Sequence, residues 1–364
     1  MHPLLGADLR TLVRLTCQNG PVPIKHWPMM TAFGLSALFR SPFALAEGCY
    51  VAKAKGTMGK MPAPVIIVGH WRSGTTHLYN ILAQAEFGYV TPFAAGMPAE
   101  MLSLGRWLRP LLAMMLPATR YVDQIAVHPN SPQEDEIPMG SINPISFYHG
   151  IYFPKHFARH LHRSFFLEGC TADEIRAWKY RFAGLMDKLW IDKEKRLLVK
   201  NPALTARIPV IRELYPDARF IHIYRNPHDV FRSTRQFYRT LLEHFALQAF
   251  DHLDIEPLVL EGYRRMMERL AIDSRDLPEN RFIDIRFEDL EAEPLDQIRR
   301  IYRQLDLGDV TLFEPRFEAY LKTVCNFPKA IYRERPEDVA MIEHHWRPFV
   351  ERFGYGVPRA SGDS

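Results

Sequence analysis

Cysteine is scarce in this 364-residue chain: Cys17, Cys49, Cys170 and Cys325 stand far apart, with no C-x-x-C pair. That spacing excludes the disulfide framework of a small secreted domain and leaves four reduced thiols. The N-terminus lacks a charged region leading into an apolar stretch and a small-residue cleavage site, so a cytoplasmic location is expected. Charge of one sign is also missing in excess. The 46 Lys+Arg against 42 Asp+Glu leave +4, too little for a nucleic-acid surface, so the basic residues are expected at local anionic sites. No apolar run is long enough to cross a bilayer: residues 27 to 39 are apolar and uncharged, but Arg40 and Pro42 interrupt them. Internal repeats and low-complexity tracts are absent. The length fits one α/β domain with additions.

The stretch from Pro64 to Leu78 organises what is present. Val65 to Val68 has no polar residue, as expected of a parallel strand buried on both faces. Leu78, Ile81, Leu82 and Ala85 then recur at helical spacing. Between them, Gly69-His70-Trp71-Arg72-Ser73-Gly74 places a glycine-bounded loop at a helix N-terminus, where free N–H groups and the helix dipole attract an anion. The spacing Gly69-x-x-x-x-Gly74 matches the front of a Walker A loop, but Thr75 stands where nucleotide-triphosphate enzymes place lysine. Without that lysine the β/γ-phosphate grip is lost, while Arg72, Ser73, Thr75 and Thr76 still offer a cation and hydroxyls to one tetrahedral group. A 5′-phosphosulfate fits this set better than a triphosphate.

Further strand and helix pairs follow. Leu197 to Val199 predicts a buried strand with Lys200 at its C-terminal end, and Ile208, Ile211 and Leu214 mark a helix. Arg219 to Tyr224 predicts a third strand running into Arg225-Asn226-Pro227 and a helix through Val230, Phe231, Thr234, Phe237 and Leu241. Arg281 to Arg286 alternates as a fourth, leading into Phe287-Glu288-Asp289-Leu290 and a helix with Ile298, Ile301, Tyr302 and Leu305. The fold class is therefore α/β: a three-layer P-loop-type fold with a central parallel sheet flanked by helices. Ligands of such sheets bind beyond the C-terminal strand ends, so the Gly69 to Gly74 loop, Lys200 and Arg225 share one crevice. Thr171-Ala172-Asp173-Glu174 forms a capping box ahead of a helix with Ile175, Trp178, Phe182, Leu185, Met186 and Leu189 on its apolar face.

Two stretches admit two readings each, and a third reads one way. The 27–39 segment, with Arg10, Arg14 and Lys25 upstream, suits either a helix packed on the domain or one lying in a membrane interface. The proline-cut segment 102–118 is either core or the wall of an apolar acceptor site. The acid run Glu134-Asp135-Glu136 follows a proline-rich loop, and such runs ordinarily face solvent.

Three ordered matches, Arg72-Ser73-Gly74-Thr75-Thr76, Lys200 before a helix, and Arg225-Asn226-Pro227-x-Asp229-Val230-x-x-Ser233, resemble the PAPS-dependent sulfotransferase family. The R-S-G-T-T loop is similar to that of its bacterial branch. The resemblance covers residues 65 to 356 and includes Phe287-Glu288-Asp289-Leu290, Trp346 and Phe353-Gly354-Tyr355. It implies transfer of a sulfuryl group from 3′-phosphoadenosine 5′-phosphosulfate (PAPS) to an acceptor hydroxyl, with no metal. The loop from Arg72 to Thr76 would hold the 5′-phosphosulfate, and Arg225 with Ser233 the 3′-phosphate. Arg72 and Lys200 would neutralise the leaving phosphate. The histidine that relatives place two residues after this lysine is here Pro202, which cannot take a proton. A carboxylate of the acid run becomes the expected base, Glu134 first, then Glu136 or Asp135, with His128 behind them. His77 and Phe287 are the expected adenine contacts. A P-loop kinase or hydrolase and a non-catalytic membrane-associated nucleotide binder are the rival readings. The expected organisation is an N-terminal helical extension over 1–60, a sulfotransferase domain over 61–358 with its C-terminal segment closing over PAPS, and a disordered tail over 359–364. The greasy stretches favour a small hydrophobic or lipid-like alcohol as acceptor, with carbohydrate and aryl acceptors as the alternatives.

Overall fold

The computed structural model describes residues 2–122, 125–325 and 335–356; the expected tail 359–364 lies outside them. Four strands, β1 (Val65–Val68), β2 (Leu198–Lys200), β3 (Arg219–Tyr224) and β4 (Phe282–Arg286), form one parallel sheet in the order β2-β1-β3-β4. Leu197 stands outside β2, in an isolated bridge to Gly88, and Lys200 is the strand's last residue. Alternation along the strands divides the apolar residues between two cores. Ile66, Val68, Val199 and Phe220 join the core built with the Ala172–Lys193, Pro227–Phe245, Ile255–Asp273 and Pro336–Arg352 helices. Val65, Ile67, Leu198, Ile221, Ile223, Ile283 and Ile285 join the other, built with the Thr75–Leu82 and Pro294–Gln304 helices. Both cores are closed by apolar helix faces, so the arrangement has three layers.

Local signals place the helix boundaries. Thr171 and Glu174 complete the capping box reciprocally, and Trp178, Phe182, Leu185, Met186 and Leu189 are buried while Ile175 is only half-buried. The Thr75–Leu82 helix ends before Ala85, which is buried beyond it.

Before the sheet lie the Leu9–Asn19 and Trp27–Lys55 helices. Leu4, Ala7, Leu12, Leu15 and Phe33 enter the first core. The Trp27–Lys55 helix corrects the expectation that Arg40 and Pro42 would end the apolar segment: it continues through both. A proline inside a helix removes a hydrogen bond and crowds the preceding turn, but tertiary bonds on both sides hold this one. Arg40 donates to the carbonyls of Leu5 (2.9 Å), Gly6 (3.3 Å) and Ala7 (2.6 Å) and pairs with Glu100. Seven residues on, about two turns, Glu47 accepts the N–H groups of Leu102 (2.9 Å) and Ser103 (2.8 Å) and pairs with Lys188 at 2.8 Å. Both charges lie on the face that also buries Phe33, Ala37 and Val51.

Candidate active site

The order β2-β1-β3-β4 makes β1 the point where the chain, having gone to one side, crosses to the other, and the crevice at such a point opens beyond the strands' C-terminal ends. The loop after β1 lies there, with Lys200 ending β2 and Arg225 following β3. Two glycines shape the loop. Gly69 has φ +133°, and a Cβ there would stand 2.3 Å from the Ile223 carbonyl oxygen; Gly74 has φ +98°, and a Cβ there would meet the Phe287 ring at 2.2 Å. Arg72 holds φ +71° without being glycine, a strained backbone of the kind found at ligand clamps. Ser73 donates its hydroxyl to the His70 carbonyl at 2.8 Å. Gly74 precedes the first turn of the Thr75–Leu82 helix with no side-chain cap, so the N–H groups there are turned to whatever fills the loop.

The acid run is buried, which corrects the solvent-facing reading, and its three members differ. Asp135 accepts the Lys200 N–H at 2.7 Å, and its own N–H donates to the Lys200 carbonyl at 3.2 Å. Burial pushes its carboxyl up to about 8. Both oxygens of Glu136 are used, one by Ser146 Oγ (2.7 Å) and Phe147 N–H (2.8 Å), the other by Asn201 Nδ2 (2.8 Å). These two carboxylates stitch the acid loop to β2 and the Tyr148–Tyr152 helix. Glu134 alone lines a cavity, with Oε2 2.7 Å from Lys200 Nζ and Oε1 accepting from Trp71 Nε1 at 3.2 Å. Burial lowers the Lys200 ammonium from its ordinary range, and Glu134 opposes that shift.

The cavity measures about 500 Å³. Its polar end has Arg72, Thr75, Thr76, Arg120, Glu134 and Lys200; its walls are Phe93, Met97, Leu108, Leu112, Met115, Phe237, Leu241 and Phe245, with Phe39 from the Trp27–Lys55 helix. Arg40 also lines it but is bound to Glu100. Among the described residues, Arg72, Arg120 and Lys200 face Glu134 at the polar end. The 102–118 segment is the wall of this space: its Leu104–Met114 helix continues through Pro110, and Leu108 and Leu112 turn inward.

A model of the sulfotransferase family matches residues 64–310. The chain belongs to the sulfotransferase family. Two relatives, both named omega-hydroxy-beta-dihydromenaquinone-9 sulfotransferase Stf3, come from Mycobacterium bovis (strain ATCC BAA-935 / AF2122/97) and Mycobacterium tuberculosis (strain CDC 1551 / Oshkosh). Each is 31% identical over 355 residues, covering 96% of this sulfotransferase and 90% of the relative. The fold is shared with solved sulfotransferases. STF9 from Mycobacterium avium superposes with TM-score 0.69 at 17% identity, over 89% of this chain and 83% of that one. STF1 from Mycobacterium tuberculosis H37Rv superposes with TM-score 0.60 at 18% identity, over 85% of each.

The sequence motifs of the sulfotransferase fall into two groups in space. Arg72, Thr75, Thr76, Glu134 and Lys200 share the cavity, whereas Arg225, Ser233 and Phe287 lie outside its lining. Arg72 Nε donates to Ser233 Oγ at 2.7 Å and so joins the groups. Arg225 stands over the Phe287 ring at 4.6 Å and lies 3.4 Å from Asp229, and its buried Nε has no hydrogen-bond partner among the described residues. Phe287 is buried beneath Gly74, with His77 edge-on at 6.3 Å. Trp346 is a core residue stacked on Tyr263 at 4.0 Å. Phe353 stacks on Tyr224 at 4.4 Å, and Tyr355 donates to Glu288 at 2.5 Å, which in turn accepts the Asn226 N–H at 3.2 Å. Sequence reasoning missed Arg120, whose Nη1 is 3.5 Å from Thr76 Oγ1, and Trp71, whose ring lies against Phe147 and Phe165. Arg120 has no motif around it; Trp71 stands inside the loop and was legible only as part of it.

Proposed function

We propose that this sulfotransferase moves a sulfuryl group from PAPS to the hydroxyl of a lipid-like alcohol, with Glu134 as the base. The observation that carries the reading is the Glu134–Lys200 pair, 2.7 Å apart, set where the polar end of the cavity meets a wall of apolar side chains. In the transfer, the acceptor oxygen attacks sulfur in line, the bond from sulfur to the bridging phosphate oxygen breaks, and the electron pair leaves on the 5′-phosphate of 3′,5′-ADP. Glu134 takes the hydroxyl proton, and Lys200 with Arg72 balances the charge growing on the departing oxygen. Arg225 and Ser233 hold the 3′-phosphate, and His77 and Phe287 flank the adenine. The acceptor class is supported by the cavity walls and by the relatives named for an omega-hydroxylated dihydromenaquinone. The chain works on the cytoplasmic side, where its free cysteines stay reduced.

The test is transfer of radiolabelled sulfur from PAPS into primary alcohols of increasing chain length. Each buried methylene contributes ~0.8 kcal/mol, so KM should fall roughly fourfold per methylene until the cavity is filled. Transfer to phenols or sugars with none to any apolar alcohol would overturn the acceptor; transfer of ³²P from γ-labelled ATP to the alcohol, with no ³⁵S transfer from PAPS, would overturn the donor.

A further inference from the structure

The stretch Ile24–Lys55, most of it the Trp27–Lys55 helix, is long and apolar enough, by length and composition, to cross a membrane, yet the helix does not stand free of the domain. Arg40 and Glu47 both turn into the protein, where each is held by several hydrogen bonds and an ion pair. Pulling the helix away would leave Glu100 a buried charge without Arg40 and strip half-buried Lys188 of its carboxylate, and breaking the buried pair is a change of the strongly destabilising kind. The helix is therefore fixed along the protein surface with one face permanently inward.

Its outward face is apolar. Leu38 is 60% exposed and Leu45 73%, with Leu35 and Phe39 beside them. The neighbouring Leu104–Met114 helix, anchored to Glu47 through Leu102 and Ser103, adds Trp107 at 77% and Met114 at 80%. A monomer in water seldom exposes this many large apolar side chains together. Charge complements the pattern: the one acid of the Trp27–Lys55 helix, Glu47, is buried, while Lys25 and Lys53 at its two ends are exposed. The cavity reaches the same surface, because Phe39 and Met115 are both wall residues and exposed ones, at 67% and 55%.

We propose that these two helices form a docking face for a bilayer carrying anionic headgroups, with the mouth of the acceptor cavity opening between them into the lipid. The helices lie in the plane of the interface, their leucines and Trp107 in the acyl region and Lys25 and Lys53 at the headgroups. A membrane-held alcohol passes from the acyl layer past Phe39 to Glu134 without crossing water. The placement rests on the lipid-like acceptor proposed above, since a water-soluble acceptor gives the cavity no reason to open there.

The experiment uses the full chain, vesicles of phosphatidylcholine and phosphatidylglycerol in equal parts, and vesicles of phosphatidylcholine alone. The variants are Leu38→Glu, Leu45→Glu and Trp107→Glu, all at exposed positions outside the cavity lining. Wild type should co-sediment with the mixed vesicles, and less with the neutral ones. Each leucine variant should weaken partitioning by roughly tenfold to a hundredfold, the value of burying one leucine. Turnover of a short, water-soluble alcohol should stay at the wild-type rate in every variant. Equal sedimentation of variants and wild type, or no sedimentation of wild type, would overturn the docking face. A wild-type dimer that Leu38→Glu dissociates, with no vesicle binding, would overturn it in favour of a second copy on that surface. Vesicle binding as described, with no sulfation of any alcohol, would sink the acceptor reading and leave the face standing.

Discussion

Replacing Glu134 with glutamine changes one charge in a site whose geometry is otherwise kept. Lys200 and Trp71 reach the two carboxylate oxygens at 2.7 and 3.2 Å; glutamine has one acceptor oxygen, so it keeps the bond from Lys200 and gives up that from Trp71, and it cannot take a proton. Loss of a positioned base costs ~10²- to 10⁴-fold in turnover, so kcat of Glu134→Gln should fall by that amount. Donor binding should not weaken, because Lys200 is released from its carboxylate. The same release has a cost in stability. Removing one partner of a buried pair costs about 3–5 kcal/mol, and the amide's retained hydrogen bond should keep this variant at or below the lower end. Lys200, already lowered by burial and raised in part by Glu134, should lose its proton at a lower pH in the variant, so donor affinity should decay earlier on the alkaline side. Glu136→Gln is the control: both oxygens of Glu136 are bound by Ser146, Phe147 and Asn201, and its loss should lower the melting temperature more than kcat. Single-turnover kinetics, calorimetry with 3′,5′-ADP and thermal melts supply the readouts. A Glu134→Gln enzyme that folds, binds the nucleotide and turns over at a rate near wild type would refute the assignment.

Arg225→Ala should weaken binding of 3′,5′-ADP by roughly ten- to a hundredfold, from ~1.5–3 kcal/mol for a hydrogen bond to a charged group, and that of AMP much less; equal losses in calorimetry would count against a 3′-phosphate site. Gly74→Ala should lower the melting temperature and abolish nucleotide binding, since its Cβ would lie 2.2 Å from the Phe287 ring at φ +98°. Adding Phe287→Ala should relieve the clash but not the backbone strain, so only part of the stability should return. His70 and His149 are buried, and desolvation holds each at about 4. The unfolded chain, with histidine near 6.5, binds more protons between those values, so stability should fall as pH drops from about 6.5 to 4, on the order of 3 kcal/mol for each group. His149→Gln should flatten the dependence of denaturant midpoints on pH, and an unchanged slope would refute the account.

What was legible in the sequence was whatever local pattern decides. Val65 to Val68 could be placed because a run without polar residues has few alternatives to a strand covered on both faces. Lys200 and Arg225 could be placed together because all parallel strands end on one edge. The acid run could not. Three adjacent carboxylates read as solvated, and what buries Asp135 and Glu136 is the Lys200 backbone, Asn201 and Ser146, partners that only folding brings near. The Trp27–Lys55 helix hid itself in the same way: a proline and an arginine are breaking signals locally, and the bonds of Arg40 and Glu47 that override them run to residues 5–7 and 100–103. Arg120 offered no pattern, since it meets Thr76 across a turn of the chain that nothing in its neighbourhood announces.

On the proposed binding mode, the 2.7 Å bond from Arg72 to Ser233 joins the two ends of the donor site. A hydroxyl that accepts from a guanidinium still has its own hydrogen to give. On the proposed binding mode Ser233 accepts the Arg72 Nε–H on one side and turns its own hydrogen to the 3′-phosphate when that group arrives, each bond polarising the next. On that mode, occupying the far phosphate would stiffen the arginine proposed to meet the sulfuryl group. A nucleotide lacking its 3′-phosphate would leave that arginine slacker even though it never touches the missing group. Selectivity for the donor would thus be felt in the rate of transfer as well as in the hold on the nucleotide, and loss of one serine hydroxyl would blur both.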